Sequence, residues 1–119
     1  MEIDVRKVED VIILDMEGRL TAGTGDRVLR EAMNQLVADD WKKILLNLSE
    51  VRKIDSAGIG ELMASIKLAR RFSCDARLLN VKGQVLQILE LSQLLPLLDV
   101  YQDEVKAIES FQETDGDDD

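Results

Sequence analysis

Ile3 and Val5 alternate with charged neighbours across residues 2–8, the period of a half-buried strand. Glu9-Asp10 makes a short turn, and Val11–Glu17 reads as a second strand closed by Gly18, so the chain opens with a hairpin. From Thr24 the period changes to that of a helix, with Val28, Leu29, Ala32, Met33, Leu36 and Val37 on one side. Thr24 is placed to cap that helix, and Asp26 in its first turn suits the helix dipole. The nearly unbroken apolar centre of Lys42–Leu48 predicts an interior strand.

A second helix is expected from Ser56 to Phe72, with Ile59, Leu62, Met63, Ile66 and Ala69 in its apolar stripe. Ala76–Val81 reads as a further strand, and a third helix around Val85, Ile88 and Leu89 must end before Pro96. Leu98–Tyr101 suggests an edge strand, and Asp103–Phe111 a last helix. Strands separated by helices imply parallel crossovers, and the opening hairpin makes the sheet mixed. The expected fold is therefore α/β: a two-layer mixed sheet of four to five strands with amphipathic helices mainly on one face. Residues 1–112 form one domain, and 113–119 an acidic disordered tail.

Composition narrows the chemistry. The 119 residues contain no histidine, which removes Ser-His-Asp and Cys-His catalysis and imidazole metal ligands. The single Cys74 can form neither an internal disulfide nor a clustered zinc site, and reads as a small packed side chain. No metal, cofactor or enzymatic activity is expected. The net charge is −9, but five of the 24 acidic residues fall in 113–119, so the remainder is only mildly acidic. No basic face for nucleic acid is advertised. The apolar runs are too short to span a bilayer, and Met1–Val5 lacks a secretory leader, so a cytoplasmic location is expected.

One segment stands out. Between the third strand and the second helix, Asp55 and Ser56 occupy a helix entrance, where either can accept from exposed backbone N–H groups. It lies at the carboxyl end of a parallel strand, where open α/β sheets place their binding sites. Gly58 and Gly60 follow, each costing about 1 kcal/mol relative to alanine within a helix. A helix start weakened in this way calls for compensation, such as close approach by another backbone or by a partner. Neither a dinucleotide fingerprint nor a phosphate-binding loop is present, since Met63 replaces the third glycine and no Gly-Lys-Ser/Thr occurs. Arg52 and Lys53 just before the site read as solvated loop charges that could steer an acidic partner.

Ile54-Asp-Ser-Ala-Gly-Ile-Gly-Glu-Leu62 resembles the signature of STAS domains of the anti-sigma factor antagonist family. Gly18-Arg-Leu-Thr-Ala-Gly-Thr24 resembles that family's second landmark, with Thr21 where the family commonly has Asp. The resemblance covers roughly residues 2–112. It implies a bacterial regulator that binds an anti-sigma factor serine kinase while unphosphorylated and is released when the serine matching Ser56 is phosphorylated. The implied partner-binding surface comprises Asp55, Ser56, Ala57, Gly58, Gly60, Thr21 and Thr24, with Gly23 and Gly25 making the Thr24 loop flexible. A STAS scaffold in a stress-signalling assembly or a lipid or ion transporter is the alternative that the same motif implies.

Overall fold

The structure, a computed structural model, describes residues 1–116. Strands β1 (Glu2–Val8) and β2 (Val11–Leu20) form the hairpin, followed by α1 (Gly25–Ala38), β3 (Lys43–Ile54) and α2 (Ser56–Arg71). Then come β4 (Asp75–Leu79), α3 (Gly83–Leu91), a 3-10 turn at Leu95–Leu97, β5 (Val100–Tyr101) and α4 (Glu104–Gly116). The five strands lie in chain order, β1 antiparallel to β2 and every later neighbour parallel. This is the mixed α/β sheet that the periodicities predict. The acidic run expected at 113–119 begins inside α4, and residues 117–119 lie outside the described part of the chain.

Strand residues alternate between two cores. Ile12, Leu14, Ile44, Leu46 and Leu78 meet Leu29, Met33 and Leu36 of α1, Leu62, Ile66 and Ala69 of α2, and Val85 and Leu89 of α3. On the opposite face Val11, Ile13, Leu45 and Leu79 meet Ala107, Ile108 and Phe111 of α4, with Val8 and Tyr101 packed partly buried against them. Central strands buried on both faces need the near-continuous apolar runs that β2 and β3 carry. Each such side chain contributes about 1.5–3 kcal/mol by leaving water. Cys74 is buried in the first core, its thiol pushed up by that burial.

The α4 side is also tied by charge. Buried Arg77 stacks 4.4 Å from the centre of the Phe111 ring and donates to Asp75 (3.0 Å) and to the Ser110 hydroxyl. Arg6 donates through Nε to Asp15 (2.6 Å) and through Nη1 to Glu104 (3.0 Å), joining β1, β2 and α4. Burial works to raise the Asp15 carboxyl, but the hydrogen bonds from Arg6 and Asn47 outweigh it and hold the group below its ordinary range.

Two strands run longer than their patterns predict. β2 passes through Gly18 to Leu20, and β3 continues through Ser49–Ile54, a stretch expected to be a connecting loop. Register shifts between Asp15 and Glu17 and between Gly18 and Arg19 break strict alternation. These bulges return Val51 and Ile54 to the first core although they stand three residues apart. The extension matters because it brings the ends of β2 and β3 together, with Leu20 paired to Ile54 directly beneath the entrance of α2.

Candidate functional site

The entrance of α2 is built on the end of β2. Asp55 caps the helix: one carboxylate oxygen accepts from the Gly58 N–H at 2.8 Å, and the other accepts from the Ala22 N–H at 3.0 Å. The Asp55 N–H in turn donates to the Leu20 carbonyl at 3.4 Å. One side chain therefore joins the Thr21–Thr24 loop to the first turn of α2. The Ala22 and Gly58 N–H groups hold the Asp55 carboxyl below its ordinary range, because both donate to its ionised form.

With Asp55 as cap, Ser56 is the first residue of α2 proper. It is exposed, and among the described residues its hydroxyl has no hydrogen-bond partner. Sequence patterning leaves both residues eligible for the cap; the structure separates them, one structural and one presenting a free nucleophilic oxygen to solvent. The chain has no histidine to serve that oxygen as a general base. Among the described residues no group of three or more Cys, Asp or Glu side chains is placed to hold a metal ion. No described helix is long and apolar enough to cross a membrane.

The two glycines of the motif have opposite surroundings. A Cβ on Gly58 would stand 1.8 Å from the Leu20 carbonyl oxygen and 2.9 Å from Ile54 Cγ1. Only glycine lets α2 seat this closely on the sheet. A Cβ on Gly60 would meet nothing within 4 Å. Gly60 lies one turn beyond Ser56, so its missing side chain leaves bare helix surface beside the hydroxyl.

The remaining expected residues fall around this entrance. Thr21 is half-buried, and its carbonyl accepts from the Asp26 N–H at 3.2 Å. Ala57 is half-buried on the first turn. Thr24 precedes α1 and is exposed, but its side chain makes no capping hydrogen bond; its backbone carbonyl accepts from Val28 N–H at 3.0 Å. Gly25 departs from the flexibility expected of it. It is buried, and a Cβ there would stand 2.1 Å from the Arg19 carbonyl oxygen, so close packing of α1 against β2 explains it. Gly23, by contrast, takes a positive φ of 96° in open space.

Sequence reasoning missed Arg19. It pairs in register with Lys53 across the ends of β2 and β3. Like charges directly opposite one another destabilise a sheet. Arg19, Arg52 and Lys53 are all exposed and have no ion-pair partner among the described residues. The signal that could have revealed this pair is the strand extension itself, hidden by the bulges.

The chain matches the STAS domain over residues 2–107. A curated relative, the anti-sigma F factor antagonist of Paenibacillus polymyxa, is 23% identical over 112 residues, covering 94% of this chain and 96% of the relative. Among solved structures, the Thermotoga maritima protein TM1081 is similar at TM-score 0.83 and 23% identity, over 91% of this chain and 92% of that one. The Bacillus cell fate determinant SpoIIAA in its phosphorylated form is similar at TM-score 0.70 and 17% identity, over 92% of this chain and 99% of that one. These structural likenesses agree with the fold derived above, and the match across nearly the whole domain identifies the chain as a member of the STAS domain family.

Proposed function

We propose that this chain is an anti-sigma factor antagonist switched by phosphorylation of Ser56. Unphosphorylated, it binds an anti-sigma factor serine kinase through the surface formed by Ser56, Ala57, Gly60, Asp55, Thr21 and Thr24, with Gly58 seating that surface on the sheet. Phosphate on Ser56 releases it. The protein is regulatory and acts on sigma-factor-dependent transcription through its partner, not as an enzyme. The name of the Paenibacillus relative supports the role. The observation that carries the switch is the division of labour at the helix entrance: Asp55 holds the structure while Ser56 is exposed with an unengaged hydroxyl.

The physical consequence is asymmetric. A phosphate adds about −1.5 to −2 charge and three acceptor oxygens at a helix N-terminus, where backbone N–H groups and the dipole favour anions. The free domain accommodates it. A partner shaped for a neutral hydroxyl must instead bury a dianion next to the Asp55 carboxylate, which costs the complex about 3–4 kcal/mol, or a few hundredfold in affinity. Incubation with the cognate serine kinase and ATP, followed by peptide mass spectrometry, tests the acceptor. A single phosphate on Ser56, lost in Ser56→Ala, is expected; a phosphate elsewhere, or none, would remove the proposal.

A further inference from the structure

The exposed stripe of α2 does not stop at Gly60. At about 100° per residue, Ser56, Gly60, Ala64, Lys67 and Arg71 fall within an arc of about 80°, running ~22 Å along the helix. Where this stripe passes α1 it forms one wall of an open groove of about 420 Å³, lined by Arg30, Asn34, Glu61, Ala64, Lys67 and Arg71 with Leu68. The chain outside 113–119 is mildly acidic, yet three cations gather here.

The arrangement of these charges is specific. Glu61 is almost fully buried in the groove wall, its side chain 7% exposed. Its carboxylate is satisfied by Arg30 Nε at 2.7 Å and by the Ser65 hydroxyl at 3.4 Å. This contact fixes Arg30 by one nitrogen only. The Arg30 Nη1 and Nη2 groups have no partner among the described residues, and the side chain is 57% exposed. Lys67 and Arg71 are exposed and likewise have no ion-pair partner among the described residues. A guanidinium held at its Nε edge presents its outer N–H groups in the planar fork that matches a carboxylate.

We infer that the α1–α2 groove docks an acidic peptide segment of the protein partner, with Arg30, Lys67 and Arg71 receiving its carboxylates and Ala64 leaving room for its backbone. Assigning the segment to an anti-sigma factor kinase rests on the function proposed above; the affinity of the groove for acidic peptide does not. Contact would then run continuously from Ser56, through the bare surface at Gly60 and Ala64, to the cationic groove. The switch at one end and the charge recognition at the other are separate parts of one surface. Screening by salt should weaken the groove contact, since its cations are exposed.

A fluorescent glutamate- and aspartate-rich peptide, titrated into the full chain at low salt and followed by anisotropy and amide chemical shifts, tests this. Shifts should gather at Arg30, Asn34, Ala64, Lys67 and Arg71, and Lys67→Glu with Arg71→Glu should weaken binding about tenfold or more. Lys82→Glu with Lys106→Glu makes the same change in net charge outside the groove and should stay within about twofold. Circular dichroism of both double variants checks that each is folded. Shifts centred elsewhere, equal losses for the two double variants, or no saturable binding would overturn the inference. Absence of phosphate on Ser56 in the kinase assay would sink the proposed function and leave this titration standing. A failed titration with Ser56 labelled would sink only the groove.

Discussion

Gly58 and Gly60 stand two residues apart at the start of α2, and a methyl group added to each would meet opposite surroundings. Gly58 faces inward, where the Leu20 carbonyl comes so close that any side chain would collide with it. Gly60 faces outward into open space, one turn from the exposed hydroxyl of Ser56. Asp55 and Ser56 repeat the contrast one residue apart: the carboxylate is engaged on both oxygens, and the hydroxyl has no partner among the described residues. One short motif thus contains two regions, an inner one that seats the helix and an outer one kept bare. Residue type does not separate them. Only the direction of each side chain relative to β2 does.

Substitution should break the inner region most severely. Gly58→Ala must displace backbone at Leu20 or push α2 off the sheet, because the clash is with a carbonyl and not with the end of a flexible side chain. A loss of about 3 kcal/mol or more in urea denaturation is expected. A loss under about 0.5 kcal/mol would mean that the close approach does not hold in solution.

The Asp55 clamp gives a pH-dependent test of the same region. Its carboxyl is held low by the Ala22 and Gly58 N–H groups, so its stabilisation is fully present above the unfolded value, about 3.9, and is lost as pH falls through the lower folded value. The stability difference between the protein and Asp55→Ala should therefore stay flat from neutral pH down to about 5 and shrink below about 4. Asp10 and Asp15, also held low, are present in both proteins and cancel in the difference. A difference that grew on acidification would contradict the clamp.

The outer region should respond mildly or in the opposite direction. Gly60→Ala should stabilise the fold by up to about 1 kcal/mol, since alanine is the better helix former and its methyl meets nothing. Gly60→Arg should keep the fold while weakening partner binding by about tenfold or more, as a long side chain fills the bare surface. Ser56→Ala and Ser56→Asp should each leave stability within about 0.5 kcal/mol of the parent, because the side chain is exposed and makes no hydrogen bond among the described residues. A larger change in either would mean that Ser56 is part of the structural clamp.

Hydrophobic period made most of the fold legible: it marks the hairpin, the crossover helices and the apolar stripe of α2 through Leu62, Ile66 and Ala69. It failed where bulges shift β2 against β3, because a two-residue alternation cannot count through an extra residue. That failure turned Ser49–Ile54 into an expected loop and concealed the opposition of Arg19 and Lys53. The site was legible as a motif, but its division of labour was not. Asp55, which caps the helix through Gly58 N–H, also accepts from the Ala22 N–H 33 residues away, a contact that no local pattern shows. Gly25 presented the same difficulty, since flexibility and close packing call for the same residue and only the neighbouring Arg19 carbonyl distinguishes them.

The central claim is that charge on Ser56, and no change in the fold, governs release of the partner. Isothermal titration of the cognate serine kinase with the unphosphorylated and the Ser56-phosphorylated protein, at one salt concentration, tests it most directly. The phosphorylated form should bind a few hundredfold more weakly while its circular dichroism spectrum and unfolding midpoint stay essentially unchanged. Equal affinities for the two forms, or weaker binding accompanied by loss of helical structure, would contradict it.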